Sequence, residues 1–264
     1  MSGIDVICIA TNGYTSYWLS MIESFLTNAT RFENIVIHVA TDDPKFIHQF
    51  GPKLDGVKYR TYLIDSEPWP MATLLRYKYI SEIVNNCETP YFLYIDADMY
   101  FHKNFDESLV KNLHENGINF IHHPGFWRNI KRFKFYTNSV TFRMILGDMK
   151  RRITLGGLGA WETRKLSEAF VPRSLRKIYI CGGIWFGTKQ ALIEIVTDLN
   201  DKVNRDLKNN IIAIWHDESY LNRWYSEHGG NVLDPSFCYD PTYKNLTGLT
   251  PLVQAIQKNI GDRN

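Results

Sequence analysis

The stretch Tyr91-Phe92-Leu93-Tyr94-Ile95-Asp96-Ala97-Asp98 constrains this chain more than any other. Five apolar or aromatic residues read as a buried strand. Two carboxylates follow at once, one residue apart. Held together in a core, they would oppose each other's ionisation and both would lose water. A divalent cation at the strand end resolves that conflict. All-oxygen ligands suit Mg²⁺ or Mn²⁺, ions that bridge to nucleotide phosphates. The plain alternative is a strand end with two solvated Asp residues, and so short a motif does not by itself separate the two.

The segments before that strand prepare it. Residues 6–9 read as a first strand, Thr11-Asn12-Gly13 as a turn, and Trp18, Met21, Ile22, Phe25 and Leu26 as one face of a helix capped by Thr15 or Ser16. Residues 35–40 and 57–64 predict two more strands, and Met71, Leu74, Leu75, Ile80, Ile83 and Val84 a helix. This β-α-β-β-α-β order predicts an α/β fold with a mostly parallel sheet covered by helices. Such sheets bind ligands beyond the carboxyl ends of their strands. Tyr14, Asp42 and Asp96 each follow a strand and belong on that rim. Further on, the pattern predicts a helix near 105–113, strands at 118–121, 178–181 and 211–215, and helices over 190–207 and from His216. Gly156-Gly157-Leu158-Gly159 reads as a flexible loop rather than a phosphate cradle, because no strand precedes it.

Composition narrows the class. An apolar content of 44% supplies a sizeable core, and 15 Phe, 15 Tyr and 7 Trp suit a packed enzyme and equally a protein that packs rings against sugars. A net charge of +2 makes no demand for nucleic acid. Basic residues cluster at 128–134, 150–152 and 173–177. They are either solvated surface or an attraction to an anionic membrane or a phosphate-bearing substrate. Cys8, Cys87, Cys181 and Cys238 form no CxxC pair and read as free thiols of a reducing compartment. With no signal peptide or membrane-spanning stretch in view, the expectation is a soluble, cytoplasmic protein, at most peripheral to a membrane.

Trp215-His216-Asp217-Glu218-Ser219-Tyr220-Leu221-Asn222 closely resembles the WHDES-x-[LI]-N signature of glycosyltransferase family 6, the family of the ABO blood-group transferases. Weaker matches fall in the same order. Trp69 and Arg76 resemble a W-x6-R stretch, and Asp96-Ala97-Asp98 the DxD metal motif. His123-Pro124-Gly125-Phe126 resembles an HPGF acceptor loop, and Ser167-x-Ala169-Phe170-Val171-Pro172 resembles SxAYIP. Cys181-Gly182-Gly183 stands where the family reads the donor sugar, and Asp234 to Asp240 resembles SPEYxWD. Ile9 and Thr11 depart from the uracil loop, and Trp161-Glu162-Thr163-Arg164 from Y-E-R-R. The basic C-terminal tail has only Lys258 and Arg263 as counterparts. The resemblance is to the short bacterial or phage members without a membrane anchor.

The resemblance implies a single GT-A-like catalytic domain over 1–264, with a Rossmann-like nucleotide-sugar-binding half at about 1–100 joined to an acceptor-binding and catalytic half at about 101–264. It implies a retaining enzyme moving GalNAc from UDP-GalNAc in α-1,3 linkage to a β-galactoside glycan, with UDP-Gal as the alternative donor. Asp96 and Asp98 would hold Mn²⁺, with Mg²⁺ as the alternative. Ala10, Tyr14, Trp69, Arg76, Gly183 and Asp217 would join the two aspartates in contacting the donor. His123, Trp215 and Asp240 would contact the acceptor, with Tyr239 beside them. Glu218 would be the catalytic carboxylate, as nucleophile or as stabiliser of an oxocarbenium-like centre. Gly183 leans to GalNAc, because a methyl there would crowd a 2-acetamido group, though Gly does not exclude galactose. Asp217 and Glu218 equally suit a helix N-terminus, and the two roles coexist.

Two other classes compete. A strand ending in DxD also opens haloacid-dehalogenase-type phosphatases. There the motif lies close to the N-terminus and continues to Thr or Val, where this chain has Tyr100. A non-catalytic sugar-binding module would keep Trp215 and His123 and need neither Glu218 nor the Asp pair.

Overall fold

The computed structural model describes residues 3–29, 32–111, 117–128, 139–244 and 248–257. Its centre is a seven-stranded sheet. The strands are β1 (Gly3–Ala10), β2 (Asn34–Thr41), β3 (Val57–Leu63), β4 (Tyr91–Ile95), β6 (Ile118–Ile121), β7 (Ile184–Thr188) and β8 (Asn231–Leu233), in the order β3-β2-β1-β4-β7-β6-β8. β5 (Met99–Phe101) and β9 (Val253–Ala255) pair separately and antiparallel. The β3-β2-β1-β4 run is parallel throughout, β7 is antiparallel to β4 and β6, and β6 and β8 are parallel. The sheet is thus mostly parallel, and the architecture is GT-A-like α/β.

β1 and β2 are buried nearly end to end, as strands covered on both faces must be. Alternate residues serve the two faces. Val6 and Cys8 pack with Trp18, Met21 and Phe25 of α1 (Tyr14–Asn28). Ile7, Phe92 and Tyr94 pack with Tyr77, Ile80 and Ile83 of α4 (Arg76–Val84) and Leu192, Ile195 and Leu199 of α7 (Lys189–Lys208). Asp43 caps α2 (Pro44–Phe50) by accepting from Phe46 N–H at 3.0 Å, and Thr188 caps α7 by accepting from Ala191 N–H at 3.2 Å. The remaining helices are α3 (Met71–Leu74), α5 (Glu107–Lys111), α6 (Ser139–Leu155) and α8 (His216–His228).

Several expectations need correction. Neither Thr15 nor Ser16 caps α1; Gly13 holds that position, and the Ser16 hydroxyl donates back to the Gly13 carbonyl. Residues 178–181 make a single bridge, Ile180 to His122, and the strand is β7, beyond Gly182-Gly183. Residues 211–215 are not a strand. Glu162 accepts from Ile214 N–H and Arg164 donates to the Ile212 carbonyl, so side chains satisfy the backbone that a neighbouring strand would otherwise pair. The glycines at 156–159 are a tight crossing rather than a flexible loop: residues 157–159 are buried. A Cβ on Gly159 would stand 2.6 Å from the Trp161 indole, and one on Gly157 would run into the Arg176 carbonyl. Leu113, Lys258 and Arg263 lie outside the described residues.

Candidate active site

The chain leaves β1 towards β2 and β3 on one side and returns to β4 on the other, so the strand order reverses between β1 and β4. A crevice opens at such a point beyond the carboxyl ends of the strands. A cleft of about 340 Å³ lies there, lined by Ile9 and Thr11 after β1 and by Asp96 and Asp98 after β4. Tyr14, Trp69 and Arg76 complete its wall. Five of the expected donor residues therefore meet in one cleft. Ala10 is fully buried behind it, between the two cleft-lining residues Ile9 and Thr11.

Arg76 ties the cleft to the second half of the chain. Its guanidinium donates to Asp96 Oδ1 at 2.8 Å and to the Gly182 carbonyl at 3.0 Å, and pairs with Asp217 Oδ2 at 2.6 Å. Burial works against that charge, but Asp217 and Asp96 outweigh it and hold the guanidinium firmly protonated. Tyr94 O–H also donates to Asp96 Oδ1 at 2.8 Å, so both bonds fall on one oxygen. Oδ2 faces Gly183, where a Cβ would stand 3.0 Å away. Burial, with help from Asp98, pushes the Asp96 carboxyl up to about 6 despite Arg76. Asp217 is raised as well, first by burial.

α8 begins at His216, and Asp217 and Glu218 occupy its first turn, where the helix dipole favours acids. Gly182 N–H donates to Glu218 Oε2 at 3.0 Å. Burial pushes the Glu218 carboxyl up to about 7, against the pull of Gly182 and of the neighbouring Tyr179 hydroxyl. That hydroxyl is buried beside Glu218 without a hydrogen bond of normal geometry. Tyr179 packs edge-on to His123, with ring centroids 5.7 Å apart. His123 accepts from Gly125 N–H at 3.0 Å, and desolvation lowers it to about 4 even with Asp240 nearby, so its ring is neutral at pH 7. Trp215 is exposed at the α8 N-terminus, and His216 meets the Trp69 ring edge-to-face at 4.7 Å. Tyr239 is buried and pairs its backbone with β9.

A continuous band therefore runs from Asp98 through Asp96, Arg76, Asp217 and Glu218 to Tyr179, His123 and Asp240. Sequence reasoning missed Tyr179 and Tyr94. Each lies inside an apolar run read only as strand, and nothing local marks a hydroxyl that will face a carboxylate.

Among the described residues, Asp5, His38 and Cys87 also bring metal-ligating atoms within 4.8 Å of one another. That group sits near the start of β1, at the opposite end of the strand from the cleft. Its polar atoms are already engaged: His38 bridges Asp5 at 2.7 Å and the Tyr62 hydroxyl at 2.9 Å. Asp5 also accepts from Glu88 N–H and from both the N–H and hydroxyl of Thr89. It is a buried hydrogen-bonded network rather than a candidate metal centre.

A parallel-sheet crevice holding paired carboxylates beside a buried arginine agrees with a GT-A-like fold. Residues 158–261 match the model of glycosyltransferase family 6. The O-antigen biosynthesis glycosyltransferase WbnI of Escherichia coli is 26% identical over 214 residues, covering 76% of this chain and 80% of its own. The globoside alpha-1,3-N-acetylgalactosaminyltransferase 1 of Gallus gallus is 23% identical over 245 residues, covering 90% of this chain and 62% of its own. The histo-blood group ABO system transferase 1 of Rattus norvegicus is 25% identical over 214 residues, covering 78% and 52%. The chain thus spans less than two thirds of these two vertebrate relatives. These matches support a member of glycosyltransferase family 6, the family model itself covering residues 158–261. No helix of the described residues is long and apolar enough to cross a membrane.

Proposed function

We propose that this chain is a retaining α-1,3-glycosyltransferase that moves GalNAc from UDP-GalNAc to a β-galactoside-containing glycan. One observation carries the reading. Glu218 stands between the Asp96–Arg76 group that lines the cleft and the Tyr179–His123 pair beyond it. A donor in the cleft and an acceptor at His123 would then meet at Glu218.

The residues fit a divalent ion. Asp96 and Asp98 leave one strand end into one cleft, and Asp96 keeps Oδ2 clear of Arg76 and Tyr94. Such an oxygen set suits Mn²⁺ or Mg²⁺. When bound, the ion would neutralise charge on the departing diphosphate. Tyr14, Ala10 and Trp69 would form the nucleotide side of the cleft. Arg76 holds Asp96 and Asp217 in place. Asp217 and Gly183 would face the donor sugar, and Trp215, His123 and Asp240 the acceptor.

Retention requires either a nucleophile on the β face or front-side attack, and Glu218 would serve as that nucleophile or as stabiliser of an oxocarbenium-like centre. In sum, the acceptor oxygen replaces the UDP oxygen on that carbon, and the hydroxyl proton leaves with UDP. Gly183 leaves room for an acetamido group, which supports GalNAc over Gal. The name of the Escherichia coli relative supports a surface polysaccharide as the destination of the sugar.

The test is UDP release from UDP-GalNAc and UDP-Gal, with Mn²⁺ or EDTA, with and without a small β-galactoside. Metal-dependent release from UDP-GalNAc, raised by acceptor, is expected. Preference for UDP-Gal would overturn the Gly183 argument alone. Equal release in EDTA would overturn the metal site.

A further inference from the structure

A second cavity, of about 730 Å³, lies next to the His123 turn and shares no lining residue with the cleft of Asp96 and Asp98. Phe126 and Trp127 N–H both donate to the His123 carbonyl, at 3.0 and 3.1 Å, and close that turn. His123 meets Tyr179, the neighbour of Glu218, while Phe126, Trp127 and Arg128 line the cavity. The Phe126 ring belongs to both places, with its centroid 5.0 Å from His123 and 5.1 Å from Tyr179. α6 supplies a second wall, and residues 176–178 a third that runs directly into Tyr179.

The charge of these walls is one-sided. Residues 128–180 hold thirteen of the chain's thirty Lys and Arg but three of its twenty-eight Asp and Glu. The three carboxylates, Asp148, Glu162 and Glu168, are each engaged by an arginine: Arg128, Arg164 and Arg205. Asp148 is the one acid among the described residues lining the cavity, and Arg128 donates to it twice, at 2.7 and 2.9 Å. Three lining cations remain, Arg152, Arg176 and Lys177, and among the described residues none of them has a carboxylate partner. Arg176 is the most telling. It is 9% exposed, yet its N–H groups donate to neutral carbonyls alone, to Val171 at 2.8 and 2.6 Å and to Leu155 at 2.6 Å. Those bonds satisfy the donors and leave the buried charge without a counter-ion. Burial and the neighbouring Arg173 both pull the guanidinium below the ordinary arginine range. Arg152 and Lys177 are exposed at the same cavity.

We propose that this cavity holds the part of the acceptor beyond its galactose, and that this part carries an anionic group, a phosphate or a carboxylate. The anion would answer Arg152, Lys177 and the buried Arg176, in the fork geometry that arginine offers to either group. A neutral sugar there would cover Arg176 and leave its charge as it stands. The rings of Phe126 and Trp127 would pack against the sugar that joins the anion to the galactose at His123. A cavity of this size suits such an extension. The proposal rests on the acceptor lying at His123.

The test compares three acceptors under Mn²⁺ and UDP-GalNAc: a neutral β-galactoside disaccharide, the same disaccharide with a reducing-end phosphate, and one whose second sugar is a uronic acid. At least one anionic acceptor should show a KM about tenfold or more below the neutral one, at similar kcat. The better of the two identifies the group. The preference should weaken with salt. In the double variant Arg152→Gln/Lys177→Gln, the ratio of kcat/KM for anionic over neutral acceptor should fall close to one. Lys150→Gln, an exposed α6 cation outside the cavity wall, should keep the wild-type ratio. Equal KM values for all three acceptors would overturn the inference alone. So would a preference that survives the double variant, or one that Lys150→Gln abolishes as fully. Absence of transfer to any β-galactoside would overturn the acceptor assignment beneath it, and the inference with it.

Discussion

The surroundings of Arg76 and the face of α6 handle charge in opposite ways. At Arg76 a single cation is buried among Asp96, Asp217 and the Gly182 carbonyl, and α4, the β4 end and α8 all converge on it. On α6 Lys150 stands in water, and the carboxylates of the segment are occupied by other arginines. A buried charge network holds geometry because removing any member leaves the others uncompensated. An exposed one holds nothing and attracts whatever carries the opposite sign. The first arrangement suits a site that must position a donor, and the second suits a surface that meets a partner.

Substitutions sharpen that contrast. Arg76→Met should have the largest effect, leaving Asp96 and Asp217 without their cation. We expect a loss of about 3–5 kcal/mol in unfolding free energy, read by denaturant titration, together with loss of transfer. An unfolding midpoint equal to wild type would break the view of Arg76 as the linchpin. Glu218→Gln should lower kcat by roughly 10³-fold or more while UDP binding holds, as isothermal titration would show. Normal turnover by that variant would remove Glu218 from its role.

Gly183→Ala places a methyl 3.0 Å from Asp96 Oδ2, in the space read as the sugar side. The ratio of kcat/KM for UDP-GalNAc over UDP-Gal should fall by about 10- to 100-fold; an unchanged ratio would show that donor choice lies elsewhere. Lys150→Ala is the opposite extreme, expected to shift stability by less than about 0.5 kcal/mol.

Acidity offers a further handle. The Glu218 carboxyl, pushed up to about 7, must be ionised to act at the anomeric centre. Transfer should therefore rise as pH passes through about 7 and level off above it, with that limb absent from the residual activity of Glu218→Gln. The stability effect has the reverse sign. The folded state holds a proton that an unfolded glutamate would release near 4.3, so this group's contribution declines as pH rises from there to about 7. A pH–rate profile flat from 6 to 8 would contradict the assignment.

Much of the cleft wall was legible in the sequence. β1, β2 and β4 are long apolar runs ending in turn or acidic residues, and local pattern suffices where both faces of a strand are buried. The WHDES stretch marked α8 and its acidic first turn. Residues 211–215 misled because an apolar run states only a preference. Ile212 and Ile214 end up exposed, their backbone held by Arg164 and Glu162 from another loop. β7 was missed because Gly182-Gly183 reads as a terminator, whereas here the glycines let Arg76, Asp96 and Glu218 approach the chain just before the strand begins. The link from Glu218 to His123 through Tyr179 depends on a contact between residues 39 positions apart in sequence, which no local pattern encodes.

The central claim is transfer with retention at Glu218. The most direct measurement is the proton NMR spectrum of the product formed from UDP-GalNAc, Mn²⁺ and a β-galactoside. The account predicts one added N-acetylhexosamine with the small anomeric coupling of an α linkage at the galactose 3-position, and no such product from Glu218→Gln. A β-linked product, or the α-linked product from the Glu218→Gln variant at the wild-type rate, would contradict it.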